Sequence, residues 1–125
     1  MVFVSGGDIW VMDTVLKTPK AITQSASRES NPLFSPNGDS ILYLSHGIDG
    51  NHIWRVERKN KDQYWWQNNQ YFLKKISKRS VPRSQLTWSP DGSRIAFIEN
   101  PKGIWTIDPH GENPQKQLDG WYFRL

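Results

Sequence analysis

The sequence has no cysteine, so disulfides, thiolate metal centres and thiol redox motifs are all excluded. It also has no run of about 18 apolar residues, the length a membrane-spanning helix needs. Residues 1–7 lack the cationic start and the apolar length of a secretory leader, and no export signal is read there. Missing too are the Gly-x-Ser-x-Gly nucleophile elbow, the phosphate-cradling Gly-x-x-x-x-Gly-Lys loop, the dinucleotide fingerprint Gly-x-Gly-x-x-Gly, the zinc motif His-Glu-x-x-His and any Asn-x-Ser/Thr sequon. With no catalytic, cofactor-binding or metal-ligating set, the expectation is a protein that is not an enzyme and carries no cofactor.

Aromatic residues and turn formers are what the chain has in quantity. Seven Trp, four Tyr and five Phe fall in 125 residues, against 36% hydrophobic residues in all, which suits one globular domain with large flat side chains in its core. The turn formers recur in register. Ser35-Pro36-Asn37-Gly38 is answered by Ser89-Pro90-Asp91-Gly92, 54 positions later. Each copy is entered by a short run with an aromatic residue (Phe34, Trp88) and left by an alternating run (41–44, 95–98). Pro36 and Pro90 preset φ for the second position of a type I turn, Asn37 and Asp91 suit the third, and Gly38 and Gly92 take positive φ without a Cβ clash, so each copy predicts a β-hairpin.

A third run follows, and it has three copies: Ile9-Trp10, Ile53-Trp54 and Ile104-Trp105, closed by Asp13, Glu57 and Asp108. A fourth short run lies beyond each, at 21–23, 75–77 and 117–119. Four short strands per unit, at a period of 40 to 55 residues, is the spacing of propeller blades. Asp13, Glu57 and Asp108 recur with the repeat and are read as turn acids, since a catalytic carboxylate would stand in a singular environment. His46 and His52 flank Asp49 across a Gly-rich turn and are read as a solvated turn rather than a metal site.

With its Ser-Pro-Asp-Gly turn, Ile-Trp strand ending in an acid and short closing strand, the pattern resembles the WD40-like repeat of TolB-like β-propellers. It is also similar to the propeller domains of some serine peptidases. Residues 31–58 and 85–119 carry the pattern, and 2–24 match its second half. The resemblance implies an all-β fold of four-stranded antiparallel blades in an incomplete ring, in a group of proteins that are commonly exported. The expected units are a partial blade over 1–24 (its last three strands), a full blade over 31–78 with an insertion at 58–73, a full blade over 84–119 and the start of another element at 120–125. Residues 24–30 show no core-facing pattern and are expected to be a polar connection.

About two and a half blades cannot close a ring, which takes roughly four to eight. A longer chain or self-association is therefore expected to cover the end faces. The function the resemblance implies is a non-catalytic scaffold that holds a protein or peptide. One alternative is a piece of the substrate-gating propeller of a serine peptidase, with its catalytic domain elsewhere. The other is a binder of an anionic polymer, nucleic acid among the candidates.

That second alternative rests on the insertion. Trp54 to Ile76 spans 22 positions, against 12 from Trp10 to Ile22, so about ten residues are added there. Asn68-Asn69 suits a two-residue turn, which would pair Trp66 with Tyr71, Trp65 with Phe72 and Tyr64 with Leu73 in an aromatic ribbon. Charge gathers in the same place: residues 57–83 hold eight basic and two acidic side chains, while the flanking segments are each slightly acidic. Tyr64, Trp65, Trp66, Tyr71, Lys74, Lys75, Lys78 and Arg79 are the candidate binding residues, by stacking and by contact with phosphate or carboxylate. The competing reading is an outer edge strand whose lysines discourage pairing while its aromatics pack locally.

Overall fold

A computed structural model of the chain describes residues 1–99 and 103–118. They form three antiparallel sheets in chain order. The first is β1 (Val2–Ser5), β2 (Asp8–Met12) and β3 (Pro19–Ala21). The second is β4 (Arg28–Phe34), β5 (Ser40–His46), β6 (Asn51–Arg58) and β7 (Tyr71–Lys75). The third is β8 (Arg83–Trp88), β9 (Ile95–Glu99), β10 (Gly103–Ile107) and β11 (Gln115–Leu118). Each sheet pairs its strands in sequence order, as hairpins with short connections do. Residues 119–125, with the element expected over 120–125, lie outside the described residues.

The two Ser-Pro turns close by the same hydrogen bonds. Ser35 N–H donates to Ser40 O and Gly38 N–H to Ser35 O, at 2.8 and 2.9 Å; Ser89 N–H and Gly92 N–H repeat both, to Arg94 O and Ser89 O, at the same distances. The serine hydroxyl donates to the amide or carboxylate two residues on, Ser35 to Asn37 and Ser89 to Asp91, each at 2.7 Å. The same hydroxyl accepts the N–H of Ser40 or Arg94. Gly38 and Gly92 sit at φ 77° and 75°, where a Cβ would strain the backbone.

The aromatic of the second strand stands opposite the repeated Trp in all three sheets: Phe3 opposite Trp10, Tyr43 opposite Trp54, Phe97 opposite Trp105. Where the fourth strand ends, a hydroxyl takes over from the ladder. Thr23 Oγ1 accepts Ile9 N–H at 2.8 Å, and Ser77 Oγ accepts Ile53 N–H at 2.9 Å.

Segment 24–30 departs from the expected polar connection. Its last three residues open β4, and Glu29 is 2% exposed, as buried as the core. A bulge hides the alternation. Asn31 takes φ 55° and shifts the register between Ser30 and Leu33; Gln85, 54 positions on, takes φ 54° and does the same between Ser84 and Thr87. The extra residue flips the strand's facing partway along, so no single period-two pattern runs through it.

The middle sheet is buried on both faces. Ile41, Tyr43 and Val56 pack with Ile9, Val11 and Ile22 of the first sheet. Leu42, Leu44 and Ile53 pack with Leu86, Ile95, Phe97 and Ile107 of the third. That explains the unbroken run 41–44: alternate residues serve opposite cores, each fully buried side chain contributing roughly 1.5–3 kcal/mol.

Candidate functional site

The insertion lengthens the outermost pair of the middle sheet and then folds back over it. β6 and β7 pair from Trp54 opposite Lys75 to Arg58 opposite Tyr71, two pairs further than β2 and β3 manage. The aromatic ribbon predicted across Asn68-Asn69 does not form. Trp65–Gln67 is instead a single 3-10 turn, and Tyr71 to Leu73 pair with Arg58, Glu57 and Val56. Asn68 lies at φ −73°, outside the positive region that a two-residue turn requires.

Asn68 organises the loop through its side chain. At 1% exposure its amide accepts Asn60 N–H at 2.8 Å and donates to Asn60 O and Tyr64 O, each at 3.0 Å. Buried peptide groups of the loop are thereby satisfied without a strand partner. Tyr64 N–H is held by Gln67 Oε1 at 2.9 Å, which fixes the start of the 3-10 turn.

The aromatics divide between interior and surface. Trp65 is 5% exposed; it meets Phe34 edge-on at 5.8 Å, stacks on Tyr71 at 5.9 Å, and carries the Arg58 guanidinium over its ring at 5.6 Å. Its indole N–H donates to Gly38 O at 2.8 Å, so the insertion is tied to the Ser-Pro-Asn-Gly turn. Tyr71 donates its hydroxyl to Trp65 O, and burial pushes its phenol up to about 12. Trp65 is therefore closed to a partner, while half-buried Tyr71 keeps part of its surface open beside Phe72 and Leu73. Tyr64 and Trp66 stack outside at 4.9 Å, with Tyr64 exposed and Trp66 half-buried.

The cations divide as well. Arg58 pairs with Asp39 at 2.8 Å, Lys61 approaches Glu57 at 4.0 Å, and Arg79 reaches the buried carboxylate of Glu99 at 3.3 Å. Arg83 is buried and bonded to the carbonyls of Asn51 and Arg79. Lys74, Lys75 and Lys78 are exposed, the first two on β7 beside exposed Phe72 and Leu73. The predicted set is thus not one patch. Tyr64 precedes the 3-10 turn and Trp66 lies within it, Lys74 and Lys75 lie on the outer strand, and Lys78 and Arg79 lead toward the third sheet.

The other candidates have local roles. Asp13 accepts Val15 N–H, and Asp108 accepts the N–H groups of His110 and Glu112 together with the Asn113 amide. Glu57 differs, pairing with Arg55 while the strand runs on into the insertion. His46 shares a hydrogen bond with Ser30 and His52 with Ser77, so neither faces Asp49 as a co-ligand. Burial, then Lys75 and Arg83, hold the His52 imidazole below its usual range, with its bond to Ser77 opposing them. Among the described residues no three His, Cys, Asp or Glu side chains gather at metal-binding distance.

Three consecutive up-and-down sheets stacked face to face are matched in a solved structure described as TolB from Agrobacterium tumefaciens, over 90% of this chain at a TM-score of 0.70. The described residues have the fold of a partial TolB-like β-propeller. Sequence identity is 21%, so the likeness is one of architecture, and the chain spans 41% of that protein's length. No protein-family model and no curated protein sequence matches the chain. In propeller terms the insertion extends the outer edge of the middle blade, and its buried aromatics fill the seam toward the first. No helix among the described residues is long and apolar enough to cross a membrane.

Proposed function

We propose that this propeller segment is a non-catalytic scaffold that takes an acidic, extended peptide along the outer edge of its middle blade. The observation that carries the reading is the state of β7. It ends the strand order of its sheet, and among the described residues no strand pairs with its other edge. Phe72 and Leu73 are 58% and 40% exposed, with Lys74 and Lys75 next along the strand. A groove between Ala21 and Ile22 of the first blade and Tyr71, Phe72 and Leu73 of the middle one runs beside them. Strand addition supplies affinity through the main chain, and side chains at alternate positions supply selection. Two adjacent lysines repel a second copy of the same strand and favour a partner bearing Glu or Asp.

The test is fluorescence anisotropy with a labelled extended peptide rich in Glu and Val. Binding is expected to weaken as salt rises, since exposed pairs are screened over about 8 Å at physiological ionic strength. It is expected to vanish when Lys74 and Lys75 are both changed to Glu, and to weaken with Phe72→Asp. Retention of heparin with no binding of the peptide would overturn this reading in favour of an anionic polymer.

A further inference from the structure

Three consecutive aromatics of the insertion meet different fates. Trp65 fills the seam between blades, but Tyr64 is 63% exposed and stacks on half-buried Trp66, ring centroids 4.9 Å apart and planes within 10°. Stacking covers one face of the Tyr64 ring and leaves the other to solvent. A flat apolar ring with a polar tip, backed by a second ring, is a surface suited to contact with another molecule.

The same loop forms an open cleft of about 910 Å3, lined by residues 59–63 and 68–70. Tyr64 directly follows Gln63 of the lining, and its carbonyl accepts the Asn68 amide, also of the lining, at 3.0 Å. Every lining residue is Lys, Asn, Asp or Gln. The backbone of the cleft is fixed from within. Asn68 bonds both peptide groups of Asn60, Gln63 N–H donates to Asn60 O at 3.3 Å, and Asp62 N–H donates to Asn60 Oδ1 at 3.0 Å. The exposed side chains are left open on this frame. The Asp62 carboxylate and the Gln63 amide bond no other side chain or backbone group among the described residues. Asn69 and Gln70 use only their amide oxygens, on Lys20 at 3.4 Å and Lys59 at 2.6 Å, so both NH2 groups stay available.

That inventory selects a class of ligand. The core of a protein interface is apolar, and this cleft has no apolar lining. Nucleic acid is held mainly by cations on phosphate, whereas here Lys59 is bonded to Gln70, Lys61 approaches Glu57 and Asp62 repels phosphate. A sugar hydroxyl is at once donor and acceptor, which amides and a carboxylate match together. A pyranose also has an apolar C–H face to lay on an aromatic ring. We propose that the insertion binds a neutral oligosaccharide, with Tyr64 as the stacking platform and Asp62, Gln63, Asn69 and Gln70 as its hydrogen-bonding groups. A volume of about 910 Å3 lies at the upper end of the roughly 300–1,000 Å3 of small-ligand pockets, which suits several linked rings rather than one. Internal bonding of the loop lowers the ordering cost of binding.

The cleft shares Lys59, Asn69 and Gln70 with the groove beside β7 but none of Phe72, Lys74 or Lys75. The two readings therefore fail separately: the peptide depends on salt and on those β7 residues, the sugar on neither.

The experiment titrates the intact chain with the hexasaccharides of β-1,4-glucose, α-1,4-glucose and β-1,4-N-acetylglucosamine, following side-chain amide resonances by NMR and heat by calorimetry. At least one is expected to bind with a dissociation constant of about 0.1–5 mM, unchanged between about 50 and about 500 mM salt. The amide signals that Gln63→Ala removes are expected among those that move. Tyr64→Ala removes an exposed ring and is expected to weaken binding about tenfold, and Gln63→Ala several-fold. No response to any of the three at about 10 mM, or an affinity that both variants leave unchanged, would overturn the proposal. So would salt-sensitive binding confined to a heparin hexasaccharide or a single-stranded oligothymidylate, which would assign the loop to a polyanion.

Discussion

Asp91 shows how much a single turn residue carries. Its carboxylate accepts Ser93 N–H, the Ser93 hydroxyl and the Ser89 hydroxyl, and these bonds hold it down to about 2. An unfolded Asp titrates near 3.9, so the folded state binds its proton less readily, and this contribution is present above about pH 4 and lost as pH falls toward about 2. Asn37 accepts two of the three corresponding bonds in the other turn with a neutral amide, from the Ser35 hydroxyl and Asp39 N–H; Asp39 has no hydroxyl to give the third. Asp91→Asn is therefore expected to lower the thermal midpoint modestly at neutral pH and to flatten its decline between about pH 4 and 2, whereas Asp91→Ala, which loses the acceptor as well, lowers the neutral-pH midpoint further. Melting curves of the three proteins across that range decide it. At this scale the sequence was informative: Ser, Pro, Asn or Asp, and Gly each do in the structure what their side-chain chemistry requires of a tight turn. Asn31 and Gln85 were not legible, because a left-handed bulge residue is imposed by the ladder around it rather than preferred by Gln.

The insertion shows the same limit in a whole element. Its aromatics alternate well enough for a ribbon, and its Asn-Asn pair suits a turn. What overrides both is a vacancy in the seam between two blades that accepts Trp65, together with an amide, on Asn68, able to satisfy the peptide groups of an irregular loop. Neither is visible in a local window, since Gly38 and Phe34 lie about thirty residues away in sequence. Trp65→Ala is expected to cost about 3–5 kcal/mol in urea unfolding, the usual range for removing a buried aromatic. A loss under about 1 kcal/mol, within the range of ordinary surface changes, would mean that the loop closes without its anchor. The lysines of β7 are a different case. Their clustering was plain in the sequence, but which cations stay available was settled by where Asp39, Glu57 and Glu99 fall.

The described residues form a row of three blades in which only the middle one has a described neighbour on both faces. On the third blade, Ala96, Ile98 and Ile104 are half-exposed, while Ile95 and Phe97 of the same hairpin are buried against the middle blade. Light scattering after size exclusion is expected to give a mass above that of one chain, and Ile98→Lys to reduce it, because a charge on that face opposes stacking. A uniform monomer for the parent protein would show that the face is stable uncovered. By itself the sequence determined the turns, the strand periodicity and the repeat, because these depend on φ preferences and alternation within a few residues. Only the tertiary structure decided which aromatics are interior and which charges are spent. Those outcomes depend on residues from different blades meeting, and on the burial and hydrogen bonding that each finds when they do.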